Sequence, residues 1–247
     1  LHLVKLPPQY GQGSQAVFLA GNANGNPATW KSTDNGQTFT CYSAPRSVDT
    51  WTVVNDNSLF FGSYNGTSGL VYSTENGGLS YSSGVAAGSQ PLESIVISPN
   101  YVRDEDILVG NSNGWVYYSS DNGTSFKPLP RDAVTPPLTG SIVVAFDTEF
   151  ATNKTIYAAS NTANKGIYRF IINESTKWER VDSTLPAGGA IGQLAISASG
   201  TLYAVNAQSV NATANKGGVE RSFDPRFSTY STGPTFETVT RGLDDGI

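Results

Sequence analysis

Three phrases of one build recur in this chain of 247 residues: STDNGQTF at Ser32 to Phe39, STENGGLSY at Ser73 to Tyr81 and SSDNGTSF at Ser119 to Phe126. With Asp34, Glu75 and Asp121 lined up, the intervals are 41 and 46 residues. A second, unrelated phrase keeps the same phase. LPPQY (Leu6 to Tyr10), ISPNY (Ile97 to Tyr101) and FDTEF (Phe146 to Phe150) each follow one apolar run and precede another. Repetition at such a period means that one supersecondary unit is copied along the chain, and that each copy buries its apolar surface against its neighbours.

Each unit reads as four strands. In the third they are LESIVIS, DILVGNS, WVYYSS and SFKPLP; in the fourth SIVVAF, TIYAAS, GIYRFI and KWERVD; in the fifth IGQLAIS, TLYAVNA, GVERSF and TFETVT. The first of each set is a nearly unbroken apolar run, as suits a strand buried on both faces. Later strands mix apolar and polar positions, as suits a rim facing water. Helical spacing with caps is absent. The period and the strand count match a four-stranded propeller blade. The expectation is an all-β chain of antiparallel blades near 1–44, 45–89, 90–137, 138–187 and 188–242, forming one β-propeller domain or a fragment of one. Composition agrees, since only 14 % of residues are charged while aromatic residues reach 11 %, which is not the make-up of a disordered chain. Leu1 to Leu6 serves as the inner strand of blade one and Thr235 to Thr240 as the outer strand of blade five. No strand is left over to stitch the ends together, so the five blades are expected to be part of a six- or seven-bladed ring.

The recurring polar phrase joins the third and fourth strands of a unit. Asp34-Asn35-Gly36 and Asp121-Asn122-Gly123 supply residues that tolerate positive φ. The Ser and Asp side chains are placed to accept hydrogen bonds from turn amides, and Phe39, Tyr81 and Phe126 open the outer strand with a ring to bury. The pattern resembles the Asp-box, or BNR repeat, S-x-D-x-G-x-T-F. Ser32, Asp34, Gly36, Thr38 and Phe39 match it throughout; Ser119, Asp121, Gly123 and Phe126 match it with Ser125 for Thr. The second copy reads as Ser73, Glu75 and Gly77 with one extra residue before Tyr81. The fifth is split into Ser222, Asp224 and, after an insertion, Gly233, Thr235 and Phe236. The fourth keeps a turn at Asn173-Glu174-Ser175 and the aromatic Trp178. Families with this repeat include sialidases, other glycoside hydrolases, sortilin-type receptors, photosystem assembly factors and surface-layer proteins. The resemblance implies that the boxes are architectural, at the periphery and away from the central funnel. The overall grammar is most similar to propellers of prokaryotic surface-layer and exported proteins.

Chemistry has few candidates. His2 is the sole histidine, which removes Ser-His-Asp and multi-His metal sites. No arginine stands in the Arg-Ile-Pro context of a sialidase. For a two-carboxylate glycosidase, acids at the funnel rim are Asp49, Asp56, Asp147, Glu149 and Asp182, with Glu93 and Asp147 on inner strands, beside turns that water reaches. Arg103-Asp104-Glu105-Asp106 offers oxygens to Ca²⁺ but lacks the glycine and spacing of a dedicated loop, so it reads as a solvated turn. Trp178 occupies a box position and Trp30 and Trp115 lie in third strands. Trp51 is the one tryptophan to consider for a ligand face. Cys41, the only cysteine, excludes an intrachain disulfide and is expected to be buried in a strand.

The net charge of −5 gives no footprint for nucleic acid or an anionic membrane, and no apolar run approaches the roughly 20 residues of a membrane span. Sequons at Asn65, Asn122, Asn153, Asn173 and Asn211 are as frequent as this Asn-, Ser- and Thr-rich composition yields by chance. The chain starts at Leu1 and contains no methionine, as a processed product or a piece would. The resulting expectation is a non-catalytic extracellular scaffold or recognition module of a cell-surface or secreted protein. It needs neither cofactor nor metal, and its partners are surface proteins or glycans. The alternatives are the propeller part of a polysaccharide-active glycoside hydrolase and a receptor or assembly-factor propeller.

Overall fold

This computed structural model describes residues 3–182, 185, 187–211, 216–229 and 236–239. They form five four-stranded sheets, each antiparallel throughout with its strands in sequence order. Blade one comprises Leu3–Lys5, Val17–Ala23, Asn26–Ser32 and Thr40–Ser43. Blade two comprises Thr50–Val53, Leu59–Tyr64, Gly69–Thr74 and Val85–Ala86. Leu92–Ile97, Ile107–Asn111, Val116–Ser119 and Lys127–Pro128 make blade three. Ile142–Phe146, Thr155–Ser160, Ile167–Ile171 and Glu179–Arg180 make blade four. In blade five the strands are Leu202–Asn211 and Lys216–Ser222 flanked by Ile191–Ile196 and Glu237–Val239. This is a β-propeller architecture with five blades.

Among the described residues the core lies between successive blades, in four apolar clusters. Phe18 and Ala20 of blade one pack with Trp51, Leu59, Phe61 and Tyr72 of blade two. Phe60 and Val71 of blade two pack with Ile95, Ile107 and Val109 of blade three. Leu108, Val116 and Tyr118 then meet Ile142, Val144 and Ile156 of blade four, and Tyr157, Ala159 and Ile167 meet Ile191, Leu202 and Ala204 of blade five. Strand alternation explains the arrangement, because successive residues of a second strand serve opposite clusters. Toward the following blade, each second strand sends a large residue and then a small one: Phe18 and Ala20, Phe60 and Gly62, Leu108 and Gly110, Tyr157 and Ala159. The small residue is where the next inner strand presses in. A β-carbon on Gly62 would meet Leu92 and Thr50, and one on Gly110 would overlap the Ile142 carbonyl. Each fully buried aromatic of this kind contributes about 2–3 kcal/mol of hydrophobic stabilisation.

The second repeated phrase folds as a single helical turn in blades three and four, Tyr101–Asp104 and Phe150–Asn153, ended by Glu105 and Lys154 in the left-handed conformation. A polar pair closes each turn, with its chemistry exchanged. Ser98 Oγ donates to Asp104 Oδ1 at 2.5 Å in blade three, whereas Asn153 Nδ2 donates to Asp147 Oδ1 at 2.7 Å in blade four. The solvated turn expected at Arg103 to Asp106 is corrected here: Asp106 is buried and accepts the Tyr118 hydroxyl at 2.6 Å. Cys41 departs from expectation as well, since it is exposed on the outer strand of blade one.

Candidate functional site

The recurring turns are built from inside. Ser32 Oγ donates to Asp34 Oδ1 (2.7 Å) and accepts the Gly36 amide (2.8 Å); Asp34 then takes the Thr38 amide (2.9 Å) and hydroxyl (2.6 Å). Ser119, Asp121, Gly123 and Ser125 repeat these bonds at 2.7, 2.9, 3.0 and 2.6 Å. Asn35 and Gly36, like Asn122 and Gly123, take positive φ, as their sequence demands.

The second copy needs a correction. Ser73, Glu75 and Gly77 do not fill the roles of Ser32, Asp34 and Gly36; Thr74, Asn76 and Gly78 do. Thr74 Oγ1 donates to Asn76 Oδ1 (2.9 Å) and accepts the Gly78 amide (3.1 Å), and Asn76 Oδ1 accepts the Ser80 amide (2.9 Å). The turn therefore has the same length as the others, with no insertion before Tyr81. An amide replaces the carboxylate, and Asn76 Nδ2 donates to Ser80 Oγ at 2.7 Å. In the fifth copy Ser222 Oγ pairs with Ser228 Oγ at 3.0 Å, and Phe236 is buried between blades four and five. Gly233 and Thr235 lie outside the described residues.

The hydrogen bonds from Ser32 and Thr38 hold the Asp34 carboxyl down at about 2. At Asp121 partial burial pushes upward, yet the bonds from Ser125, Ser119 and Thr124 prevail and leave it well below the ordinary carboxylate range. A depressed folded-state value means stability that is present above pH ~4 and lost as pH falls through the folded value. The expected result is that Asp34→Asn and Asp121→Asn flatten the fall in melting temperature between pH 5 and pH 2; parallel curves for wild type and variants would contradict it. Asn76 shows that an amide fits the turn. Asp121→Ala should instead cost about 1–3 kcal/mol at neutral pH by stranding turn donors, read by urea denaturation.

The carboxylates proposed from sequence are dispersed. Asp56 accepts Ser14 Oγ at 2.5 Å, and Glu149 pairs with Arg226 at 2.9 Å. Asp147 is buried, not washed by solvent. It takes the Tyr157 hydroxyl (2.8 Å), Asn153 Nδ2 (2.7 Å) and the Glu149 amide (2.9 Å). Asp182 is buried too, accepting the Ile167 amide at 2.7 Å and Arg180 Nη2 at 2.9 Å. Its burial outweighs the guanidinium, so its carboxyl lies above the ordinary value. Sequence reasoning missed Glu220, which is buried beside Thr238 Oγ1 (2.7 Å) and likewise pushed up by burial. Trp51 is 2 % exposed and packs in the core between blades one and two, and it also belongs to the wall of the central cavity described below. Among the described residues, no group of three or more His, Cys, Asp or Glu side chains is placed to hold a metal ion, and no helix is long and apolar enough to cross a membrane.

One cavity gathers residues from all five inner strands. It measures about 440 Å³ and is lined by Lys5, Asp49, Thr50, Glu93, Ser94 and Gln193, with Val143, Val144 and Leu194 as apolar wall. Thr50 pairs with Gly62 and Ser94 with Gly110, so Asp49 and Glu93 hold equivalent positions on neighbouring blades. Asp49 accepts the Tyr64 amide at 2.9 Å, and burial raises its carboxyl above the ordinary value. Glu93 accepts Ser141 Oγ at 3.1 Å and is exposed. The mouth thus presents two acceptors, two hydroxyls, an amide and one ammonium around the axis. That set suits a ligand rich in hydrogen-bond donors.

No family model and no curated protein matches the chain. Among solved structures it is similar to the GH74 xyloglucanase from Xanthomonas campestris, with TM-score 0.66 and 16 % identity, covering 96 % of this chain and 38 % of that one. It is also similar to the Niastella koreensis GH74 enzyme (0.62, 19 %, covering 94 % and 37 %). A third is YCF48 bound to D1 peptide, with TM-score 0.62 and 13 % identity, covering 94 % of this chain and 66 % of that one. The chain spans less than two thirds of each of these proteins. What it shares with them is the β-propeller fold.

Proposed function

We propose that this chain is a non-catalytic recognition module of an Asp-box β-propeller, secreted or displayed on a cell surface in the manner of surface-layer proteins, and that it takes its ligand at the mouth of the central cavity. The observation that carries this reading is how the carboxylates are employed. Asp147, Asp182 and Glu149 are each bound by neighbours of their own or the adjoining blade, and Asp34 and Asp121 are bound within turns. Asp49 and Glu93, each accepting one hydrogen bond, line the cavity. There they serve as acceptors for the hydroxyls of a glycan or the amines of a surface-protein segment. The test is an array of neutral oligosaccharides and cationic peptides probed with wild type, Asp49→Asn and Glu93→Gln. Affinity for the retained ligand should fall about tenfold in each variant, the worth of one charged hydrogen bond. Binding that both variants keep in full would remove the cavity mouth from the account.

A second reading rests on the same pair. Two carboxyls from equivalent positions on neighbouring blades, both reached by solvent and one of them raised above the ordinary value by partial desolvation, are the ingredients of acid–base hydrolysis of a glycoside. The GH74 neighbours support it through their fold. A peptide-binding role is supported in the same way by YCF48 bound to D1 peptide.

A further inference from the structure

The large residue that each second strand turns toward the following blade occurs once more, as Tyr203 of blade five, with Val205 at the register of the small one. In the first four blades the next sheet covers it. In blade five Tyr203 is 36 % and Val205 42 % exposed. The agreement runs across the whole sheet. Blade four pairs Ala145, Tyr157, Arg169 and Glu179 in one cross-strand row, and Arg169 bridges Glu179 at 2.6 Å. Blade five pairs Ala195, Tyr203, Arg221 and Glu237 in the same row, with the same ion pair. Blade five thus carries the surface that blade four uses to seat a neighbour.

Phe223 extends this face. It stands where the other turns have Thr33, Glu75 or Ser120, is 65 % exposed, and lies under the Arg221 guanidinium at 4.8 Å. With Tyr203 and Val205 it adds to the exposed apolar area of blade five.

Blade one shows the complementary deficit. The aromatic that follows each turn joins the core shared with the preceding blade: Phe126, Trp178 and Phe236 are buried there and Tyr81 is half-buried. Phe39 is instead 38 % exposed, and Val4 of the same sheet is 62 % exposed.

We infer that the outer face of blade five is a docking surface, and that its occupant is a further four-stranded antiparallel blade. That blade presents the covering residues that blade five presents to blade four, namely equivalents of Ile191, Leu202, Ala204 and Phe236. Val205 is bulkier than Gly62, Gly110 or Ala159 at the same register, so the incoming inner strand stands further out here than at the other blade junctions.

The test extends the chain by a second copy of residues 188–242 that carries Tyr203→Phe, so that only the original Tyr203 is read. Nitration of Tyr203 by tetranitromethane should slow about tenfold relative to the unextended chain, and the added copy should resist trypsin. Tyr203→Lys in the original blade should restore cleavage of the copy. A Val205→Ala version improves the fit if the first extension seats poorly. If Tyr203 stays fully reactive in both extensions, the face does not seat a blade and the inference fails. If Tyr203 is already protected in the unextended chain and light scattering shows a dimer, the occupant is a second copy, and the inference fails in that direction.

Discussion

Gly110→Ala is expected to lower the unfolding free energy by about 3 kcal/mol or more, the upper range for overpacking a rigid contact. The added β-carbon would overlap the Ile142 carbonyl and press on Ser94. Neither neighbour can step aside cheaply. Ile142 is buried and pairs with Ser160 at the start of the inner strand of blade four, and its carbonyl accepts Ser94 Oγ at 3.0 Å. The substitution therefore forces blades three and four apart where they converge on the axis. Gly192→Ala is the control, because nothing lies within 4 Å of the position its β-carbon would take. Guanidinium denaturation of the two variants should separate them clearly. Equal stability would mean that the blades yield at the axis, against the close packing described above.

Asp182→Ala should cost about 2–4 kcal/mol, below the full cost of breaking a buried ion pair because the Arg180 side chain is partly exposed. The carboxylate accepts the Ile167 amide and Nε and Nη2 of Arg180, and Gly166 backs directly onto it. Alanine strands a buried amide and leaves a space beside Gly166. Asp182→Asn keeps an acceptor for Ile167 and should lose less. Its pH profile is also informative. A carboxyl raised by burial contributes stability that is fully present below the ordinary value and is lost as pH rises through the folded value. The loss caused by Asp182→Asn should thus be greatest in acid, opposite in sign to the behaviour expected of Asp34→Asn.

The repeat made most of the fold legible from sequence. Two phrases in one phase, each with a distinct job, mark the turn between third and fourth strands and the turn between first and second. What the repeat hides is of two kinds: the offset within one turn, and partners that come from another strand. The charge of Glu75 invites alignment with Asp34, whereas the turn selects for the length of the side chain and for Gly at the right offset. Counting back from Tyr81 leads to Asn76. Asp147 and Asp182 read as solvated strand ends because the Tyr157 hydroxyl and the Ile167 amide reach them only after the sheets form. Trp51 stands on an inner strand whose two faces both pack, which its local sequence does not reveal. The uncovered state of Tyr203 and Phe39 is not read from those residues themselves, since each is of the same type as its buried counterparts; Val205, where the other blades have Gly or Ala, is the local departure.

Recognition without turnover is the central claim, and a direct assay of hydrolysis decides it. Wild type, Asp49→Asn and Glu93→Gln are incubated with a broad panel of polysaccharides, xyloglucan included, and new reducing ends are counted against a blank between pH 4 and 8. The account predicts no reducing ends above the blank from any of the three proteins, while wild type binds its ligand and the two variants bind it about tenfold less tightly. Reducing ends that wild type releases and that disappear in both variants would contradict it and make Asp49 and Glu93 the acid–base pair of a glycoside hydrolase.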